Sequence, residues 1–240
     1  EPGTSFCPSC GHATASMTAE LSGTEPRSGQ VRLTFTGTGL EALVWGLFAL
    51  ILGILIIPAG WGIAAISRWL VHSVTLDDGA TVEFHGRGSQ IWGYYILMFF
   101  IQAVSNFIPG LGGVIAWLVN SRIQLAIWQW FFREVHMSDR GTLVFTGQYW
   151  PYVGWSFILL ISIFSIVGWA WVMAAYLRWV YRNIDIGGDQ VVFWGTGLEI
   201  LWRGIVTVLV SILIITIPWM AVWYIQWFVS QTTIERTRAQ

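Results

Sequence analysis

Phe193-Trp194-Gly195-Thr196-Gly197-Leu198-Glu199 stands between a strand-like run, Gln190–Phe193, and a long apolar run. Its core, Phe-x-Gly, occurs in the same setting as Phe35-Thr36-Gly37, Phe84-His85-Gly86 and Phe145-Thr146-Gly147. Each copy has a β-like run before it and an apolar run after it. The chain therefore reads as one unit repeated four times, and a fixed internal period decides the architecture before any single motif does.

A second landmark fixes the alignment. A polar residue followed by Trp closes each unit: Arg68-Trp69, Gln129-Trp130, Arg178-Trp179 and Gln226-Trp227. Phe and Trp are 34 residues apart in units one, three and four and 46 apart in unit two, which carries a twelve-residue insertion. From Trp to the next Phe the distances are 15, 15 and 14. A breaker, Pro58, Pro109, Gly168 or Pro218, follows each Phe by 23 to 25 residues. Proline removes a helical hydrogen bond and clashes with the preceding turn. Each unit is thus predicted to hold two helices, with Leu40–Ile57 as the first and Leu111–Glu134 as the long second helix of unit two. Between units lie hairpin signals, with turns at Asp78-Gly79, Arg140-Gly141 and Gly187-Gly188. The end runs Val31–Phe35 and Gln231–Glu235 are expected to pair and close the units into a ring.

Hydrophobic residues make up 55% of the chain and charged residues 10%, with a mean hydropathy of +0.62. Runs 42–67, 88–121, 141–177 and 204–234 carry no charge, and each exceeds the ~20 residues a membrane-crossing helix needs. The expected fold is an all-α polytopic membrane protein. Four tandem repeats, at about 31–80, 81–140, 141–188 and 189–240, each supply a pair of hydrophobic helices joined to the next by a short β-hairpin. The Arg residues lie near the hairpins, which places the hairpins and the N-terminus in the cytoplasm. Two topologies stay open: four full helical hairpins, or four to five crossings with interfacial second helices. A net charge of −1 gives no reason to expect a nucleic-acid partner. The 17 Trp suit an interfacial belt.

Residues 1–30 are polar. Cys7-Pro8-Ser9-Cys10-Gly11 is a zinc knuckle, in which a tight turn lets two thiolates face one ion. Residues 1–12 resemble the second half of a bacterial zinc ribbon, which implies structural zinc on Cys7 and Cys10 with two further ligands upstream of residue 1. His12 follows Cys10 too closely for the usual ligand spacing, and a lone redox knuckle is the alternative. Residues 13–30 read as a flexible linker and 31–240 as the membrane domain.

Thr38-x-x-Glu41 and Thr196-x-x-Glu199 are capping boxes, in which hydroxyl and carboxylate each satisfy an orphan N–H. On the second helices, Arg68/His72, Gln129/Arg133, Arg178/Arg182 and Gln226/Ser230 lie four residues apart, which puts each pair on one face. In a ring these faces could converge on an anionic ligand. Alternatively they sit at headgroup level against lipid phosphates. His85 and His136 read as ordinary loop residues.

Phe193 to Gly197, the apolar run, Thr216-x-Pro218-Trp219 and the strand after it are similar to the YjgN-like family of bacterial inner-membrane proteins, as is Phe35 to Gly39. The resemblance spans about residues 31–235. It implies an inner-membrane location and supplies no catalytic residues. No nucleophile, paired-carboxylate or phosphate-loop constellation is present, so no enzyme is expected. The expected role is to bind or move a small anionic solute or lipid in the bilayer. The second expectation is a scaffold docking a cytoplasmic protein partner through its ribbon and hairpins.

Overall fold

A computed structural model describes residues 30–55, 58–108, 110–165 and 167–235. Cys7, Cys10 and His12 lie outside the described residues, as do the knuckle and linker expected there. Eight strands and eight helices alternate in pairs. They are β1 (Gln30–Phe35), α1 (Gly39–Ile54), α2 (Ala59–His72), β2 (Val74–Leu76), β3 (Val82–Phe84), α3 (Gly88–Ser105), α4 (Gly112–Arg133), β4 (Val135–Met137), β5 (Gly141–Phe145), α5 (Tyr149–Ser162), α6 (Trp169–Arg182), β6 (Ile184–Ile186), β7 (Asp189–Phe193), α7 (Gly197–Val210), α8 (Ile217–Ser230) and β8 (Thr232–Glu235).

The strands form one antiparallel sheet in the order β2-β1-β8-β7-β6-β5-β4-β3. The two end runs pair as expected, with Val31 opposite Ile234 and Arg32 opposite Thr233. The strands flanking each helical pair also join, as Leu33 does with Leu76 and Val82 with Met137. Alternate residues of all eight strands, among them Leu33, Val74, Val82, Leu143, Val191 and Ile234, line one cavity. The sheet therefore curls into a near-barrel, interrupted between β2 and β3. The helices follow the same circuit: each packs on the next, and α8 returns to α1.

The two sequence landmarks meet. In every unit the Phe and Trp rings meet edge to face: Phe35–Trp69 at 5.7 Å, Phe84–Trp130 at 5.6 Å, Phe145–Trp179 at 6.2 Å and Phe193–Trp227 at 6.4 Å, all with planes within 84–89°. Such pairs contribute about 0.5–1.5 kcal/mol beyond burial. The residue between Phe and Gly donates its N–H to the last carbonyl after the second helix, as in Thr36 to Ser73 (2.8 Å), His85 to Glu134 (3.0 Å), Thr146 to Asn183 (2.8 Å) and Trp194 to Gln231 (2.9 Å). Gly is required because the Phe ring folds back over it. A Cβ on Gly37 would lie 2.6 Å from the Phe35 ring.

The structure corrects the all-α polytopic expectation. The protein is an α/β fold with a shared eight-stranded sheet, and no described helix is long and apolar enough to cross a membrane. The uncharged runs mislead because the breakers and caps cut them. Six of the eight helices have 14 or 16 residues, or about 21–24 Å at 1.5 Å per residue, against a hydrocarbon core of about 30 Å. The longer α3 and α4, of 18 and 22 residues, include Gln102, Asn120, Arg122, Gln124 and Gln129. The multi-pass topology, and with it the bacterial inner-membrane location expected from the charge-free runs and from the family resemblance, are corrected by the same finding.

Candidate functional site

The helical pairs end in apolar tips. Ile54 and Leu55, Phe107 and Leu111, Ile163 and Phe164, and Ile212 to Ile215 are exposed, with Phe107 at 84% and Phe164 at 87%. The exposure runs down the helices through Phe48, Phe100, Phe157 and Val208. A contiguous apolar surface on this scale marks an interaction site.

Charge begins at a regular depth below the tips. Arg68 and Arg178 each come ten residues after the helix caps Pro58 and Gly168, Arg122 comes eleven after the cap Leu111, and Arg203 comes seven before Val210, the last residue of α7. At 1.5 Å per residue these are about 15 Å and about 10 Å from the tips. Arg203 is held in an aromatic box, its guanidinium 4.5 Å from the Trp202 ring, 4.7 Å from Trp223 and 5.0 Å from Trp227. Its Nε, the Thr207 hydroxyl and the Trp227 indole N–H are buried without a hydrogen-bond partner. Arg122 lies over the Tyr149 ring at 5.8 Å.

The polar positions of the second helices do not converge at the centre of the ring. That space is lined instead by apolar neighbours, including Val71, Phe131, Phe132 and Val229. Arg68, His72, Gln129, Arg133, Arg178, Arg182 and Gln226 are exposed. Arg68 donates to the Gly86 carbonyl at 3.3 Å and Arg178 to the Gly195 carbonyl at 3.0 Å, so each ties its unit to the Phe-x-Gly loop of the next. One pair does share a site. Arg178 and Arg182 line a cleft of about 340 Å³ with Gln190, Phe193 and Trp194, and no carboxylate is among its lining residues. Two guanidiniums and an amide beside an indole suit a phosphate or carboxylate group.

Both capping boxes form. Glu41 N–H donates to Thr38 Oγ1 at 3.3 Å and Thr38 N–H to Glu41 Oε2 at 2.9 Å, and Thr196 and Glu199 repeat this. The Thr38 amide, together with the Trp69 indole N–H, holds the Glu41 carboxyl below its usual range.

Three groupings escaped the sequence reading. Arg203 stands directly before the charge-free run 204–234, and its Trp202 neighbour was the available signal. His85 and His136, read as scattered loop residues, meet with their Nδ1 atoms 3.3 Å apart, because β3 and β4 pair. Arg140 joins three turns: it binds Asp78, lies 3.4 Å from Asp139 and places its Nε 3.3 Å from Asp189. Desolvation lowers the Arg140 pKa, but the hydrogen bond and charge of Asp78 with the charges of Asp139 and Asp189 outweigh it, and the net shift is upward. Among the described residues no group of three or more His, Cys, Asp or Glu could hold a metal ion. No protein-family model, curated protein or solved structure matches the chain.

Proposed function

We propose that this protein docks on an anionic lipid surface, seating its four helical tips in one leaflet and holding lipid phosphate with the arginines below them. The observation that carries this reading is the depth at which charge begins. The hydrocarbon thickness of one leaflet is about 15 Å, half of the ~30 Å core. The tips project about 10–15 Å beyond Arg68, Arg122, Arg178 and Arg203,. Helices too short to cross a bilayer thus match one leaflet, and their first cations fall at headgroup level, where guanidinium and indole groups are favoured. The Arg178/Arg182 cleft supplies the paired donors for one phosphate.

Co-sedimentation with vesicles of phosphatidylcholine alone and of phosphatidylcholine with phosphatidylglycerol tests this. The chain should bind both and prefer the anionic vesicles. Phe164→Asp with Ile214→Asp should weaken binding to both. Arg178→Gln with Arg182→Gln should reduce only the anionic preference, by roughly 5-fold per arginine, because a basic residue near such a surface contributes about 1 kcal/mol. A chain that ignores both vesicles and sediments as a fixed oligomer would show that a second copy covers the tips, and the proposal would be wrong.

A further inference from the structure

We infer that the interior of the strand ring is a second binding site, for a small uncharged apolar molecule of the size of benzene or a short alkyl chain. This inference is independent of the lipid reading. The cavity measures about 200 Å³, and an apolar cavity of about 150 Å³ in another protein stays dry and takes up benzene. Its wall is built from Val, Leu, Ile, Phe and Met side chains of all eight strands and of the helix ends, with two hydroxyls, those of Tyr181 and Thr232. Thr232 Oγ1 donates to the Phe228 carbonyl at 3.1 Å, and the Tyr181 hydroxyl, 3.4 Å from the same oxygen, is placed to donate to it. Neither hydroxyl is among the buried side-chain atoms left without a partner, so the side-chain wall favours an apolar guest over solvent.

The surroundings point to a side entrance. Phe131, Phe132, Tyr181 and Val229, from the ends of α4, α6 and α8, line the side toward the helices. Arg140 ties the turns at the opposite end through Asp78 and Asp189. Between β2 and β3 there is no ladder. Val74 and Val82, on those two unpaired edges, both line the cavity. A guest therefore enters through this seam.

Calorimetric titration of the whole chain with benzene tests the inference. Wild type should bind saturably, and its unfolding temperature should rise with benzene concentration. Val82→Phe and Leu143→Phe, checked for native circular dichroism, should each lower affinity at least tenfold by filling the space. Phe164→Asp with Ile214→Asp should leave benzene uptake unchanged, which separates this site from the helical tips and from the lipid reading. Absence of saturable uptake by wild type overturns the inference. So does uptake that persists in either folded Phe variant or is lost in the tip variant.

Discussion

Phe84 and Trp130 stand 46 residues apart and meet edge to face, ring centroids 5.6 Å apart and planes at 87°. The Trp130 indole N–H also donates to Gln90 Oε1 at 3.0 Å. One side chain thus joins the end of α4, the strand β3 and the start of α3. Trp130→Ala should destabilise the fold by about 3–5 kcal/mol, as for other buried aromatic truncations. Chemical denaturation monitored by far-ultraviolet circular dichroism measures this. A loss below 1 kcal/mol would mean that the Phe–Trp pairs do not hold the units together.

Glycines divide by what surrounds them. A Cβ on Gly86 would come within 2.6 Å of the Trp130 ring, so Gly86→Ala should cost about 1–3 kcal/mol through overpacking,. Nothing lies within 4 Å of a Cβ on Gly93 or Gly154, both inside helices. Gly93→Ala and Gly154→Ala should each stabilise by about 0.5–1 kcal/mol. Thermal melts of the three variants should move in opposite directions.

Arg140 has a side chain only 6% exposed and faces three aspartates. Arg140→Met removes the cation that Asp78 and Asp189 both approach. The expected loss is about 3 kcal/mol, the lower end for breaking a buried pair from one side. Asp139→Asn, which alters the more exposed partner, should cost under 1 kcal/mol. Equal losses from the two changes would contradict this ranking.

The Glu41 carboxyl has a depressed pKa relative to its ordinary 4.5. Its contribution to stability is present above that value and disappears as pH falls through the lowered pKa. Glu41→Gln should therefore lower the melting temperature at pH 7, and the gap from wild type should close as the pH is taken down to about 2. A gap independent of pH would place the effect in packing instead of charge.

The residues disclosed the repeat, the helix breaks, the hairpins β4–β5 and β6–β7 and the meeting of the first and last strands, because each is signalled locally by Gly, Pro or a short alternating run; the hairpin expected at Asp78-Gly79 does not form, since β2 and β3 pair with β1 and β4 instead of with each other. The single sheet was not legible. Its remaining ladders join residues such as Leu33 and Leu76 across a whole helical pair, and three-residue strands carry almost no period of their own. Charge-free runs overstate the helices, because the caps at Thr38 and Thr196 and the breakers set the helix lengths. Among the proposed ligand residues, i,i+4 spacing correctly put Arg178 and Arg182 on one face. It could not show that Arg68 and Arg178 would be drawn sideways to the carbonyls of Gly86 and Gly195.

The pairing of β1 with β8, sealed by the Gln30 amide donating to Glu235 Oε1 at 3.0 Å, brings the first and last described strands side by side. The discontinuity in the strand circuit falls elsewhere, between β2 and β3. Order along the chain is therefore uncoupled from position around the molecule. Linking Glu235 to Gln30 through a few residues and cutting at the exposed Gly79 would yield a circular permutant with every ladder retained. Its termini would emerge at the seam, so the existing gap in the wall would become the natural place for the chain to start and stop.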